Sequence, residues 1–132
     1  MTKVGRSWHG KAGGRVYIIE ELGDRSSRVR MRHHERMLRP GGTVSGPAMF
    51  GLADFSVYVA IIAALGEAGI DAVTTNLSIN FLTRPEARDM LASVTLIRLG
   101  RRLAVGEARL YSDGKDDMVA HAIATYALPP SG

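Results

Sequence analysis

The chain has 132 residues, 45% of them hydrophobic, and a formal net charge of +4, which suits one domain with a sizeable core. The lack of cysteine excludes a disulfide scaffold, a thiol nucleophile and a zinc site built on cysteine. It is compatible with the cytoplasm, where we expect the protein. The positive charge favours anionic partners but does not choose among nucleic acid, anionic lipid and a phosphorylated small molecule.

Two elements are predicted before the middle of the chain. Residues 1–14 are polar and glycine-rich, which predicts a flexible start without a signal peptide, and the single folded domain is expected over residues 15–132. Val16 to Leu22 is interpreted as a short helix closed by Gly23. Alternation from Ser27 to Leu38 predicts a strand. Its basic face lacks aromatic residues between the arginines, so a solvated surface or a subunit contact is favoured over nucleic acid; the arginines are Arg28, Arg30, Arg32 and Arg36.

A long apolar run follows and predicts a helix from about Gly46 to Ala68. Pro47 suits the first turn of a helix, and Gly66 and Gly69 mark the exit. The run is long enough to cross a membrane, but its broken start and its internal charge favour a helix wrapped by a sheet. That charge is Asp54. A carboxylate is costly to bury unless a partner or a reaction uses it, so Asp54 is the first candidate functional residue.

Four closely spaced strands are predicted after the helix from alternating patterns and turn residues. Because connections this short imply antiparallel pairing, we predict an α+β fold in which an antiparallel sheet of about five strands wraps one long central helix. The predicted strands are Ala72–Phe81, Arg88–Leu99, Arg101–Ser112 and Met118–Leu128, with turns at Gly100 and Asp113-Gly114.

Three motifs in this order connect the layout to a known family. The first is Gly42-x-x-Ser45-Gly46-Pro47 followed by Leu52-Ala53-Asp54, the second is the strand Thr74 to Leu82 near Pro85, and the third is Gly100-Arg101-Arg102 before the strand that ends at Asp113-Gly114. From Ile18 to Leu128 the chain resembles the hotdog-fold 4-hydroxybenzoyl-CoA thioesterase family and its phenylacetate-pathway branch. The family has Gly-x-x-His-Gly-Gly and then Leu-Ala-Asp, and the interval from Gly46 to Asp54 keeps its spacing.

The resemblance implies hydrolysis of an acyl-CoA thioester without a metal or cofactor, coenzyme A being part of the substrate. Asp54 would be the nucleophile or the general base, and the Gly46 N–H would donate to the oxyanion. Thr74 aligns with a hydroxyl residue that orients the water or contacts the acid in some members. Family members form dimers and often tetramers, so we expect a homodimer or homotetramer. Asp54 and Gly46 are expected to come from different subunits or to face each other across the seam.

The chain departs from the family pattern at three positions. Ser45 replaces the histidine, Pro47 replaces the second glycine and removes a backbone donor, and Arg39 replaces an asparagine or glutamine that polarises the carbonyl or holds the water. The donor role then falls on Gly46, with Ala48 as a second candidate. Other substrate-binding candidates are Ser45, Pro47, the apolar Phe50, Tyr58 and Phe81, and, for the phosphates of coenzyme A, Arg101 and Arg102 ahead of Arg84 and Arg88.

Other functions remain open from the sequence. A non-catalytic acyl-CoA-binding protein would fit the three departures, whereas a hydratase or dehydratase would need a histidine near the start of the helix. A nucleic-acid-binding protein would use the arginine stripe and bind with steep salt dependence. Asp54 itself could be a structural acid bonded to a neighbouring strand or to Tyr58, one helical turn later. A metal site is not expected, because adjacent His33 and His34 would point to opposite faces of a strand.

Overall fold

The structure, a computed structural model, describes residues 2–3, 16–34, 38–39 and 43–130 of the chain. Within these residues one long helix, α1 (Gly46–Leu65), runs into a short 3₁₀ helix at Gly66–Gly69. The strands in chain order are β1 (Thr2–Lys3), β2 (Tyr17–Gly23), β3 (Ser26–Met31), β4 (Leu38–Arg39), β5 (Thr43–Val44), β6 (Val73–Phe81), β7 (Met90–Leu99), β8 (Leu103–Ser112) and β9 (Met118–Ala127).

Seven of these strands form one antiparallel sheet in the order β1-β2-β3-β7-β8-β9-β6, and β4 pairs only with β5. The helix contacts six strands of the large sheet, from β2 at one side to β6 at the other. The predicted hotdog arrangement, one long helix packed against an antiparallel sheet, is therefore confirmed. The last four predicted strands also form, each with ends within two residues of the expected ones.

The predicted helix from Val16 to Leu22 is wrong, because this segment is strand β2. It forms a hairpin with β3 around a tight turn at Asp24 and Arg25, where Arg25 has a positive φ of 65°. The segment is rich in residues that favour strands, and pairing with β3 satisfies its backbone. The hairpin raises the sheet above the predicted five strands. Thr2–Lys3 pairs with β2, and the rest of the predicted flexible start lies outside the described residues.

Strand β3 is shorter than predicted and ends at Met31. Val29 and Met31 are buried and Arg28 and Arg30 lie on the other face, as the alternation indicates. The two histidines that follow lie beyond the strand, so the argument from opposite strand faces does not apply to them. Residues 35–37 lie outside the described part of the chain. The basic face is paired with acids: Arg30 contacts Glu20, Asp89 and Asp113.

Helix α1 buries one side and leaves a stripe of the other side open. Buried side chains such as Leu52, Val57 and Ile61 face the sheet. The stripe, which we call the open stripe, is not fully buried at any position: Pro47 and Phe50 are exposed, and Asp54, Tyr58 and Ile62 are partly buried. The segment Gly46–Gly69 is long and apolar enough to cross a membrane. However, half of its most apolar 18-residue stretch is buried inside the fold, and the core helix of a soluble protein meets the same criteria of length and composition.

Candidate active site

Asp54 lies half-buried on the open stripe and accepts hydrogen bonds from two strands. The Thr74 hydroxyl donates to its Oδ1 over 2.8 Å, and the Tyr126 hydroxyl lies 2.6 Å from the same oxygen and 3.0 Å from the Asp54 carbonyl oxygen. Among the described residues, no hydrogen bond reaches Oδ2. The single carboxylate in this apolar helix thus has polar partners on one oxygen and leaves the other available.

Sheet register brings the two hydroxyls together. Thr74 and Tyr126 are direct cross-strand partners on β6 and β9, and a bulge interrupts the register of β6 immediately after Thr74, between Thr74 and Asn76. Cross-strand partners lie on the same face of a sheet, here the face that contacts α1. The preceding inward residues of β9 are small, which gives the helix room to pack; they are Ala120, Ala122 and Ala124.

Sequence reasoning missed Tyr126. The sequence did contain a signal for this residue. Tyr126 ends a run of inward-facing alanines on β9, and the hydroxyl of a buried tyrosine needs a hydrogen-bond partner. The side chain is 3% exposed. Burial, and then the hydrogen bond to Asp54, raise the pKa of Tyr126 well above its usual value. The hydroxyl therefore stays protonated and acts as a donor.

Tyr58 does not bond Asp54, although it lies one helical turn away. Its hydroxyl donates to the Ile70 carbonyl oxygen over 2.6 Å. Its ring instead stacks on the ring of Tyr126, with centroids 6.1 Å apart and planes 17° apart. The sequence offered two structural partners for Asp54, a neighbouring strand or Tyr58. The structure contains hydrogen bonds from strands and none from Tyr58.

The start of α1 presents one available backbone donor. Ser45 is the N-cap, and its hydroxyl oxygen accepts from the Ala48 N–H over 3.2 Å. Ala48 is thereby occupied and Pro47 has no N–H. No hydrogen bond among the described residues uses the Gly46 N–H. The Phe81 ring, 52% exposed, covers this position: a Cβ on Gly46 would lie 3.3 Å from its Cζ.

Gly46 and Asp54 lie far apart in one chain. They are eight positions apart on α1, which corresponds to about 12 Å along the helix axis. A reacting carbonyl must lie about 3 Å from both its oxyanion donor and its nucleophile. One protomer therefore cannot supply both groups to the same carbonyl.

The predicted phosphate-binding arginines lie at the same end of the sheet as the Asp54 cluster. Leu103, next to Arg102, pairs with Ala127, and the Arg102 carbonyl accepts from the Leu128 N–H over 2.8 Å. A third arginine, Arg98, lies near the Gly100 turn that precedes Arg101 and Arg102. Its guanidinium is within van der Waals distance of the position that a Cβ on Gly100 would occupy. The groove there is lined by Arg98, Gly100, Arg101, Arg102, Leu103 and Pro130.

The remaining predicted residues are not brought to Asp54 by the described contacts. Arg88 donates to the Asp113 carbonyl oxygen over 2.8 Å, which ties it to the β8–β9 loop. Arg39 pairs through its backbone with Thr43, and the role predicted for its side chain lies outside the described part of the structure. No cluster of three or more His, Asp or Glu side chains that could hold a metal occurs within the described ranges.

The Thioesterase superfamily pattern matches residues 41–119, and the chain belongs to that superfamily. A structure from Silicibacter sp. TM1040, assigned as a thioesterase, is 46% identical with a TM-score of 0.78, over 86% of this chain and 79% of that one. A phenylacetic acid degradation-related protein from Ralstonia eutropha JMP134, also assigned as a thioesterase, is 26% identical with a TM-score of 0.76, over 84% and 83%. A hypothetical thioesterase from Streptococcus pneumoniae TIGR4, solved with coenzyme A, shares the fold at 22% identity and a TM-score of 0.77, over 87% of each chain.

These findings confirm the resemblance to hotdog thioesterases. Membership of the superfamily supports thioester hydrolysis as the general activity. The geometry adds a carboxylate with one engaged oxygen and a helix start with one available N–H. A carboxylate and an oxyanion donor are the groups that acyl transfer from a thioester requires.

Proposed function

We propose that the protein hydrolyses an acyl-CoA thioester to a free acid and coenzyme A in the cytoplasm. The observation that carries the proposal is Asp54, held by two hydroxyls on the open stripe of an otherwise apolar helix. Coenzyme A as the carrier is supported by the arginine groove at the same end of the sheet and by the related fold solved with coenzyme A. Guanidinium groups suit its phosphates because they bind them in a bidentate manner.

The chemistry needs only protein groups and water. As a nucleophile, Asp54 attacks the thioester carbonyl, the C–S bond breaks, and water hydrolyses the resulting anhydride to regenerate the carboxylate. As a general base, Asp54 takes a proton from water while the water oxygen attacks the carbonyl. In both routes the Gly46 N–H stabilises the oxyanion, and the thiolate leaves and is protonated to the free thiol. Activity is therefore expected to be insensitive to chelators.

The active site is proposed to form between two copies of the chain. β6 ends the described sheet, and its exposed side chains include Val73 at 59% and Phe81 at 52%. Antiparallel pairing of two β6 strands about a two-fold axis near Leu77 would place Val73 opposite the partner's Phe81. Because Asp54 lies beside Thr74 and Gly46 beside Phe81, this pairing would bring Asp54 of one copy towards Gly46 of the other. A tetramer would be two such dimers.

The first test measures thiol release from short, medium, long and aryl acyl-CoAs. Asp54→Asn should lower kcat at least about 100-fold, since it removes the nucleophile or base and nearly preserves shape. Asp71→Asn is the matched control, because Asp71 is an exposed acid beyond the helix, and it should retain wild-type turnover. If no ester is hydrolysed while acyl-CoA still binds, the protein is a non-catalytic binding protein and the proposal fails.

The shared site is tested by mixing inactive variants. Gly46→Pro removes the proposed donor N–H, whereas Gly46→Ala keeps it and controls for the crowding against Phe81. In a heterodimer of Gly46→Pro with Asp54→Asn, one of the two shared sites is intact. Statistical mixing should therefore restore about a quarter of wild-type activity. If both groups came from the same chain, no site would be intact and no activity would return, which would refute the shared site.

A further inference from the structure

Among the described residues, Tyr126 makes the shorter of the two side-chain hydrogen bonds to the proposed catalytic carboxylate, at 2.6 Å. We propose that Tyr126 is a positioning residue that, together with Thr74, engages Asp54 Oδ1, so that Oδ2 is the oxygen that reacts. This inference rests on the proposed function. It assigns the two carboxylate oxygens different roles: one anchors the side chain and the other attacks the carbonyl or accepts the proton from water.

Burial and a ring contact with Tyr58 restrict the position of the Tyr126 hydroxyl. The residue is almost fully buried, and its ring stacks on Tyr58. Tyr58 is itself held by the hydrogen bond to Ile70. The Tyr126 hydroxyl has one proton, and the shorter contact, 2.6 Å to Asp54 Oδ1, is the one it donates to; the Asp54 backbone carbonyl oxygen lies 3.0 Å from the same hydroxyl oxygen, so β9 approaches both the main chain and the side chain of the acid. Such support from a rigid element restricts the Asp54 rotamer.

The two hydroxyls make the two carboxylate oxygens of Asp54 chemically different. Hydrogen bonds to an ionised acceptor are short and strong, and both stabilise negative charge on Oδ1. Oδ2 receives none from the described residues and is left with its lone pairs for a substrate or a water molecule. The raised pKa of Tyr126 means that its hydroxyl keeps its proton throughout an ordinary assay range. It is therefore a fixed donor to Asp54 across that range.

The experiment removes each hydroxyl while preserving shape. Tyr126→Phe keeps the ring that stacks on Tyr58, and Thr74→Val is nearly isosteric. Because misplacement of a catalytic group by about 1 Å can cost about 100-fold, kcat should fall about 10- to 100-fold in each variant while KM changes less than about 3-fold. Thr74→Ser, which restores a hydroxyl, should recover most of the rate. The double variant should approach the rate of Asp54→Asn.

Ser27→Ala is the matched control for a merely structural hydroxyl. The Ser27 hydroxyl is buried and donates over 2.8 Å to the carbonyl oxygen of Ser56, on the same helix as Asp54. Its loss should lower the melting temperature as Tyr126→Phe does, and leave kcat unchanged. A Tyr126→Phe variant that is equally destabilised but has wild-type kcat, beside an inactive Asp54→Asn, would overturn the inference alone. Full turnover in Asp54→Asn would instead overturn the proposed function.

Discussion

Gly106 sets the distance between the helix and the middle of the sheet. It lies on β8, paired with Leu96 and Ala124, and is buried beneath α1. A Cβ at this position would lie 2.7 and 3.0 Å from the two γ-carbons of Val57 and 3.3 Å from Leu96 Cδ2. Carbon atoms in good contact are about 3.5 to 4.0 Å apart. Gly106→Ala must therefore push the helix or the strand out of place.

The expected cost follows from these distances. Overpacking of a filled core typically costs about 1 to 3 kcal/mol. Alanine offsets about 0.5 to 1 kcal/mol of this by restricting the unfolded chain. Taking the middle of each range, we expect a net loss of about 1 kcal/mol, which for a domain of this size lowers the melting temperature by about 3 to 5 °C. Most of the lost stability should come from the clash with Val57, because a β-branched side chain in a helix has one strongly preferred rotamer and cannot rotate away from the new methyl group.

A double-mutant cycle isolates that clash. Gly106→Ala is compared in the wild-type and Val57→Ala backgrounds by chemical and thermal unfolding at one protein concentration, since dimerisation would shift the midpoints. Val57→Ala removes both γ-carbons, so introducing Gly106→Ala in that background should be neutral or stabilising. A Gly106→Ala protein as stable as the wild type, or an equal cost in both backgrounds, would refute the proposed close approach of helix and strand.

Two further predictions concern the helix start and the outer sheet face. Ser45→Ala should lower the free energy of unfolding by about 1 kcal/mol because the Ala48 N–H loses its cap; Ser45→Asp should restore stability in denaturant unfolding, and equal stability of all three proteins would contradict a capping role. On the outer face, hydrogen bonding to His121 and the charge of Arg109 lower the pKa of Glu107. A carboxylate whose pKa is lower in the folded than in the unfolded protein stabilises the fold at pH values above its unfolded-state pKa. This stabilisation is lost as the pH falls through the folded-state pKa. The melting temperature should therefore fall more in the wild type than in Glu107→Gln between about pH 5 and pH 3. Glu67→Gln, at the exposed 3₁₀ helix, should follow the wild type, and parallel curves for Glu107→Gln would contradict the assignment.

Local signals in the sequence predicted most of the fold. At the candidate site they located the helix start and Asp54, but not all of the residues that contact Asp54. Period-two alternation and turn residues located β6 to β9, because both are properties of neighbouring residues. The start of α1 at Ser45 and Gly46 was likewise encoded in a short motif, and Asp54 stood out by its charge. The exception was Val16 to Leu22, where an apolar segment that suits a helix or a strand was decided by pairing with β3.

The partners of Asp54 depended on tertiary structure. Thr74 and Tyr126 are 20 and 72 positions away in the chain, and only the order of strands in the sheet brings them to the helix. Family resemblance supplied Thr74, whereas Tyr126 required the register of β9 against β6. The sequence alone thus determined which groups could perform the chemistry, since residue types and local periodicity are written in the chain. Tertiary structure decided which oxygen of Asp54 is engaged, because that depends on contacts between segments distant in sequence.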